Sequence, residues 1–219
     1  MASEGFKVTS VEPVGEGFTG ISFIMDTFLE IARKENLSFT LIKSPIEDCK
    51  FNYIFDFIYS INVMEHLKDP YSVLLQLVTN LRKGGKYRFF CPNYDFPYEP
   101  HFAKWIFRRR NDAFFLPESR TSAGKLHLEE TPGLYSSLNF LTLSKLESQA
   151  RNIRGVHFNP NKLALFELLC RALNDSGLKN RHKGLSIIVS VIDALGILRL
   201  SKVLPCRYQP VMDIEINKV

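Results

Sequence analysis

The sequence predicts an α/β protein built on a mostly parallel sheet with helices on both faces. Strand-like and helix-like segments alternate from Phe6 to Cys91, which is typical of consecutive strand-helix-strand units. The strand-like segment YIFDFIYS is apolar on both sides, as expected of a strand buried between two helical layers. The sequence has no internal repeat and no low-complexity segment.

The first half of the chain contains four strand candidates and two helix candidates. The strands are recognised by β-branched and aromatic runs, and the helices by apolar residues at helical spacing. We predict strands at 6–12, 38–42, 53–60 and 87–91, helices at 20–34 and 70–81, and a KGGK turn at 83–86.

The second half is predicted to be mainly helical. A loop rich in proline and aromatic residues, PNYDFPYEPHF, follows Cys91. We predict helices at 143–152 and 160–174, a short strand at 155–158, a helix at 185–204 that ends before Pro205, and a last strand at 207–216. The chain is then one domain, with a sheet core at 5–92 and 205–217 and a substrate loop and helical insertion at 93–204.

Composition excludes several classes of protein. The 219 residues are 45% hydrophobic and 23% charged, which allows one well-buried domain and argues against disorder. The formal charge of +5 favours anionic partners, such as a phospholipid surface, without implying nucleic acid. The four cysteines lack the spacing of a zinc site, and a cytoplasmic setting is expected.

Residues 55–93 contain several spaced motifs: Phe55-Asp56, NVMEHL at 62–67, RKGG at 82–85 and Cys91-Pro92-Asn93. This pattern resembles the class I S-adenosylmethionine-dependent methyltransferases, especially the small-molecule enzymes of the ubiquinone-biosynthesis type. A match of several motifs at the right spacing is more specific than any single motif. The resemblance implies a Rossmann-like three-layer sandwich and S-adenosylmethionine as cofactor.

The resemblance also implies which residues contact the cofactor. Residues just past the ends of the strands should face the cofactor crevice. The family uses an acidic residue after its second strand for the ribose hydroxyls, and here Glu12 holds that place. Pro45 stands where many relatives have an aspartate, so backbone groups near Ile46 are expected to contact the adenine. The predicted cofactor-binding residues are Glu12, Pro13, Ile46, Glu47, Ile61, Asn62 and Val63.

Gly15, Gly17 and Gly20 form a G-x-G-x-x-G pattern between a strand and a helix. A dinucleotide-dependent oxidoreductase that uses these glycines is therefore an alternative. Strand counting favours the other interpretation, in which the strand at 6–12 is the family's second strand. Glu16 would also place a negative charge where a phosphate must bind.

If 6–12 is the second strand, the family's first strand and its glycine-rich loop are missing from the chain. Its absence would leave ladder groups of the neighbouring strands exposed. We expect such a strand and loop to be encoded immediately upstream. A non-catalytic fragment or scaffold is the alternative function, since the missing loop would impair cofactor binding.

The candidate catalytic residues are His66 and His101, and the candidate substrate residues are Tyr94, Tyr98 and Glu99. A histidine at the crevice can deprotonate a hydroxyl acceptor. The alternative for the pair Glu65 and His66 is helix capping and packing at the rim. The alternative for the loop after Cys91 is an ordinary folded segment whose aromatics fill a local core. No metal site is expected.

Two segments have the composition of an interfacial membrane element. KWIFRRR at 104–110 mixes aromatic and basic residues, and basic residues flank the apolar run at 185–204. Asp193 in the middle of that run argues against a bilayer span. The alternative is a buried helix that covers the sheet. The expected acceptor is a small molecule, lipid or glycan, and the oligomeric state is not predicted.

Overall fold

The computed structural model describes residues 1–13, 19–99, 104–105, 137–177 and 183–219, and at 19–23, 104–105 and 183–185 it describes the backbone only. Within these residues there are eight strands: β1 Val8–Val11, β2 Phe39–Ile42, β3 Phe55–Ile61, β4 Leu81–Pro92, β5 Tyr98–Glu99, β6 Lys104–Trp105, β7 Val156–Pro160 and β8 Val211–Lys218. The α-helices are α1 Thr19–Lys34, α2 Pro70–Thr79, α3 Leu143–Ala150, α4 Ala164–Asn174 and α5 Lys183–Ala194.

The main sheet is divided into two parts. One part is the parallel pair β1 and β2, and the other has the order β3-β4-β8-β7. β3 and β4 are parallel, whereas β8 is antiparallel to both β4 and β7. Among the described residues no strand lies between β1 and β3. The predicted α/β fold with an antiparallel last strand is thereby confirmed.

The core lies on one face of the larger sheet, where α2 and α3 pack. Apolar side chains of β4 and β8, including Tyr87, Phe89 and Ile214, are buried against apolar positions of α2 such as Leu74. Helix α2 begins at a Pro in its first turn, and the Asp69 carboxylate accepts hydrogen bonds from Tyr71 N–H and Ser72 N–H, both at 3.1 Å. The core therefore holds in place the segment between β3 and α2, which contains the NVMEHL motif.

We predicted a separate turn at 83–86. The structure instead includes the RKGG segment in β4. The pairing register with β3 jumps from Leu81 opposite Phe55 to Lys86 opposite Phe57, so that residues 82–85 form a bulge. Gly84 has a φ of +75°, a conformation that suits glycine. The two glycines thus allow a bulge where we predicted a turn.

The strand β3 is less buried than predicted. Phe57, Tyr59 and Ile61 are 43%, 52% and 50% exposed, although an apolar strand of this kind was expected to be covered on both faces. The prediction is wrong because the described residues cover one face of β3: Ile58 packs against the core, whereas Phe57, Tyr59 and Ile61 alternate to the other face. Half of this strand therefore remains open to solvent.

The helix predicted at 185–204 is interrupted. Helix α5 ends at Ala194, and Gly196 adopts a left-handed conformation with φ of 71° before a 3-10 turn at Ile197–Lys202. A glycine in this conformation ends a helix without steric cost. Among the described residues no helix is long and apolar enough to span a bilayer.

Candidate functional site

One cavity of about 490 Å³ runs along β1 and β3 and extends to residues that follow β1, β2 and β3. Backbone pairing places the ends of β1 and β2 side by side, since Glu12 N–H donates to the Ile42 carbonyl at 3.0 Å. The Glu47 carboxylate then reaches the segment after β3, where it accepts a hydrogen bond from Lys68 N–H at 3.1 Å. The carboxyl ends of the three strands therefore meet at the same edge, where open α/β sheets bind ligands.

Four of the predicted cofactor residues line this cavity. Glu12 follows β1, Ile46 lies in a 3-10 turn after β2, and Ile61 and Val63 lie at the end of β3. The remaining walls are mostly apolar side chains of the strands and of α2. The structure thus brings together residues from three separate elements that the resemblance to the methyltransferases had assigned to one site.

Glu12 is the acidic residue among the described residues that line this cavity. Burial raises the pKa of its carboxyl group above the ordinary value, because the charged form is less well solvated there. The side chain is only partly buried, so a ligand in the cavity can reach it. A carboxylate in such a place can accept two hydrogen bonds from a vicinal diol.

Three predicted cofactor residues do not line the cavity. Pro13 is exposed, and the carboxylate of Glu47 is bound to Lys68 N–H. Asn62 has a positive φ of 51°, and its N–H donates to the Phe90 carbonyl at 2.8 Å. Asparagine tolerates this left-handed conformation better than most residues. It turns the chain out of the sheet and carries Val63 to the cavity wall.

His66 lies in the 3-10 turn Met64–His66 that follows the cavity wall. Its Nδ1 is 2.8 Å from Ser137 Oγ, and its Nε2 is 4.0 Å from Oε1 of the buried Glu65. His66 is not among the described residues that line the cavity. The backbone N–H of His66 donates to the carbonyl of Val63, which lines the cavity. The imidazole ring is therefore held one turn away from the cavity wall.

The predicted substrate residues Tyr94 and Glu99 form a hydrogen-bonded pair in which Glu99 is buried and Tyr94 is half-buried. Tyr94 Oη donates to Glu99 Oε1 at 3.2 Å, and the Tyr94 ring packs edge-on against Phe140. Burial, together with the negative charge of Glu99, raises the pKa of the Tyr94 phenol. Tyr98 is half-buried, and β5, which contains it, pairs with β6. His101 lies outside the described residues.

Two asparagines that sequence reasoning did not assign hold the region together. Asn139 Nδ2 donates to the carbonyls of Met64 and Leu67 at 2.7 and 2.9 Å. The buried Asn93 donates to the Gln209 carbonyl at 2.9 Å and accepts from Leu143 N–H at 3.0 Å. These contacts join residues far apart in sequence, so the residue type alone could not reveal them. Only the place of Asn93 in the Cys-Pro-Asn motif drew attention to it.

Among the described residues there is no cluster of metal-binding side chains. Cys49 and Cys91 are buried and Cys170 and Cys206 are partly buried, all four as free thiols. Gly15 and Gly17 lie outside the described residues, whereas Gly20 is in the first turn of α1.

Comparison with known proteins decides the family. Residues 1–183 match a family model described as a methyltransferase domain. The chain belongs to this methyltransferase family. The class I methyltransferase prediction is thereby confirmed, together with its cofactor, S-adenosylmethionine, and the family argues against the dinucleotide-dependent oxidoreductase.

The chain is similar to other proteins over different shares of their length. An uncharacterized protein of Mycobacterium tuberculosis is 32% identical over 220 residues, covering 100% of the chain and 73% of the relative. A ubiquinone biosynthesis O-methyltransferase of Rickettsia canadensis is 24% identical over 85 residues, covering 39% of the chain and 33% of that enzyme.

A solved structure supports the fold of the methyltransferase. Phosphoethanolamine N-methyltransferase 2 of Haemonchus contortus, in complex with S-adenosyl-L-methionine, superposes with a TM-score of 0.51 at 14% identity. The match covers 99% of the chain and 44% of that enzyme, so the chain spans less than half of its length.

Proposed function

We propose that this chain transfers a methyl group from S-adenosylmethionine to a hydroxyl or similar nucleophile of a small molecule, lipid or glycan. The observation that carries the proposal is the cavity in which Glu12, Ile46, Ile61 and Val63 lie together. These four residues lie at the carboxyl ends of three strands, which is the usual ligand site of this architecture. The volume of the cavity, about 490 Å³, lies in the range of small-molecule sites.

The residues present suit an adenosyl group. Glu12 would accept hydrogen bonds from the two ribose hydroxyls, since one carboxylate can accept both. Ile46, Ile61 and Val63 would pack against the flat apolar ring. When bound, the cofactor supplies an electrophilic methyl group, and the task of the protein is to align the acceptor with it.

Proton removal from the acceptor is assigned to His66. Ser137 holds one ring nitrogen at 2.8 Å, and the buried Glu65 lies 4.0 Å from the other. A carboxylate near the ring stabilises the imidazolium that forms when His66 takes a proton. Tyr94, Tyr98 and Glu99 would then shape the acceptor side of the site, where Glu99 is fully buried.

Contact with a membrane surface is part of the proposal. Helix α5 and the 3-10 turn after it expose large apolar side chains: Ile187, Ile188, Val191, Leu195, Ile197, Leu200 and Val203, which are 46% to 76% accessible. Among the described residues, α5 packs against α4 through Val189 and Ile192. Arg199, Lys202 and Arg207 lie beside this apolar surface and favour anionic lipid. A cytoplasmic, peripherally bound enzyme would act on an amphiphilic acceptor.

Isothermal calorimetry with S-adenosylhomocysteine tests the proposal. We expect saturable binding of S-adenosylhomocysteine and none of NAD at the same concentrations. Failure to bind S-adenosylhomocysteine would favour the non-catalytic alternative, and binding of NAD alone would contradict the assignment of the cavity.

A further inference from the structure

The segment Ser137–Phe140 lies against the turn that carries His66. Asn139 of this segment donates three hydrogen bonds to backbone carbonyls of the turn and of the residue after it. The acceptors are Glu65 at 2.8 Å from the backbone N–H, and Met64 at 2.7 Å and Leu67 at 2.9 Å from Nδ2. One residue that satisfies several carbonyls of a turn restricts its backbone, so Asn139 holds the turn on both sides of His66.

The same segment contacts the ring of His66. Ser137 Oγ lies 2.8 Å from His66 Nδ1. The intervening Leu138 is 1% exposed, so the segment is anchored in the interior between its two polar contacts. Ser137 and Asn139 thus hold the ring and the backbone of His66 from one short stretch of chain.

The other end of the segment contacts the loop after Cys91, which carries Tyr94. The Phe140 ring packs edge-on against the Tyr94 ring at a centroid distance of 5.1 Å. The carbonyl of the next residue, Leu141, accepts a hydrogen bond from Tyr94 N–H at 3.1 Å. The proposed base and a proposed substrate residue are therefore held by neighbouring residues of one segment.

Phe140 has an unusual backbone conformation. Its φ is 53°, in the left-handed region, which is sterically unfavourable for an aromatic residue. Asn139 Oδ1 accepts a hydrogen bond from Leu141 N–H at 2.9 Å and so bridges this position. Residues strained in this way persist where their surroundings determine the conformation, and they concentrate at functional sites. The contacts on both sides of Phe140 supply such surroundings.

We propose that the segment Ser137–Phe140 positions His66 for proton removal and connects it to Tyr94, an inference that rests on the proposed function. Ser137 holds the imidazole ring in one orientation and one tautomer, and Asn139 holds the turn that carries the ring. Phe140 ties this arrangement to Tyr94. A neutral histidine accepts a proton only at the nitrogen that carries no hydrogen. The segment therefore determines at which side of the ring the acceptor loses its proton.

Long-range 1H–15N NMR of the imidazole rings in the labelled whole chain tests the inference. Spectra are recorded at a pH where the rings are neutral, and His66→Gln identifies the His66 signals among the five histidines. We expect two well-separated 15N shifts for His66 in the wild type, the signature of one tautomer. Ser137→Ala should bring the two shifts together, because both tautomers are then populated. Ser137→Thr keeps the hydroxyl and should keep the shifts apart.

Asn139→Ala removes the side-chain hydrogen bonds to the turn and should also bring the His66 shifts together. Asn80→Ala is the matched control, because Asn80 Nδ2 likewise donates to two carbonyls, those of Phe51 and Tyr53 at 3.1 and 3.2 Å. The control should unfold at a lower urea concentration than the wild type, as Asn139→Ala does, but leave the His66 shifts unchanged. Ser137→Ala, which removes one hydroxyl, decides the question even where Asn139→Ala does not fold.

Two variants of Tyr94 test the connection through Phe140. Tyr94→Phe keeps the ring that packs on Phe140 and should leave the His66 shifts as they are in the wild type. Tyr94→Ala removes that ring and should bring the shifts partly together. Unchanged His66 shifts in Tyr94→Ala would overturn the connection.

Three results would overturn the positioning of His66: averaged shifts in the wild type, wild-type shifts in Ser137→Ala, or equal changes in Asn80→Ala and Asn139→Ala. These results are distinct from a failure of the proposed function, which is judged by binding of S-adenosylhomocysteine. A chain that binds S-adenosylhomocysteine but has an averaged His66 ring would contradict this inference alone. A fixed ring in a chain that does not bind S-adenosylhomocysteine would contradict the proposed function.

Discussion

The Glu47 carboxylate accepts a hydrogen bond from the backbone N–H of Lys68 at 3.1 Å. Glu47 follows β2 and Lys68 follows β3, so this contact connects the two parts of the divided sheet. Nearby, Gln76 Nε2 of α2 donates to the Cys49 carbonyl at 2.6 Å. Together these contacts hold the end of β2 against the segment that begins α2.

Replacing Glu47 by Ala should therefore loosen the cavity. We expect a loss of about 1 kcal/mol in the free energy of unfolding, the typical value of one hydrogen bond, measured by urea denaturation. Glu47→Gln keeps an acceptor oxygen and should lose less than half as much. If the two variants unfold at the same urea concentration as the wild type, the contact does not hold the sheet together.

Asn62 gives a test of backbone conformation. Because its φ is 51°, Asn62→Ala should cost about 1 kcal/mol in unfolding free energy, whereas Asn62→Gly should be nearly neutral. Thermal unfolding of the two variants measures the difference. A glycine variant less stable than the alanine variant would show that the Asn side chain, rather than the left-handed turn, matters there.

The ion pair between Arg88 and Asp213 links β4 to β8. Arg88 Nε donates to Asp213 Oδ1 at 2.8 Å, and Asn161 Nδ2 donates to Oδ2 at 2.9 Å. Burial alone would raise the pKa of Asp213, but these hydrogen bonds and the Arg88 charge lower it below the ordinary value. We expect Asp213→Asn to lose about 2 kcal/mol of unfolding free energy at neutral pH.

The loss of unfolding free energy in Asp213→Asn should depend on pH in one direction. A carboxyl group with a lowered pKa stabilises the fold above its unfolded pKa, about 3.9, and this contribution disappears as the pH falls through the folded pKa. The difference between wild type and Asp213→Asn should therefore shrink below about pH 4. Arg82→Ala, which removes an exposed ion pair with Asp56, is the control and should cost under about 0.5 kcal/mol. A pH-independent difference would contradict the assignment.

Membrane contact is tested by flotation with vesicles of phosphatidylcholine and phosphatidylserine. The double variant Ile187→Ser and Ile188→Ser should lose binding at low salt, since it removes exposed apolar area from α5. The matched control, Ile24→Ser with Ile54→Ser, removes similarly exposed side chains elsewhere and should still float. If wild type does not float, or if both double variants behave alike, the surface of α5 is not a lipid contact.

Much of the fold could be predicted because local patterns determined it. The alternation of strands and helices gave the sheet, and the apolar spacing of α1 and α2 matched the observed helices within a few residues. The interruption of α5 was missed because an apolar run shows no periodic break there. Only Gly196, which takes the left-handed conformation, signals it.

The site was less predictable for a physical reason. Glu12, Ile46 and Ile61 could be proposed because the resemblance to the methyltransferases places cofactor contacts at strand ends, which meet at one edge of the sheet. The contacts of Glu47 with Lys68 and of Asn139 with Met64 depend on tertiary packing, so no local pattern encodes them. Tyr94 and Glu99 have the polar and aromatic character of substrate residues, yet they bind each other, and Glu99 is fully buried.

Glu12 combines a predicted role in binding with a cost in stability. Its pKa is raised by burial, so the folded protein holds the proton more tightly than the unfolded chain does. The fold is therefore favoured at acidic pH, and that advantage is lost as the pH rises from the unfolded pKa through the folded pKa. At neutral pH, Glu12→Gln should unfold at a slightly higher temperature than the wild type.

Calorimetry of S-adenosylhomocysteine binding to wild type and Glu12→Gln is the most direct test of the account. A charge-assisted hydrogen bond contributes about 1.5–3 kcal/mol, so the variant should bind at least about tenfold more weakly while remaining folded. Equal affinity of the two proteins would contradict the placement of the ribose at Glu12.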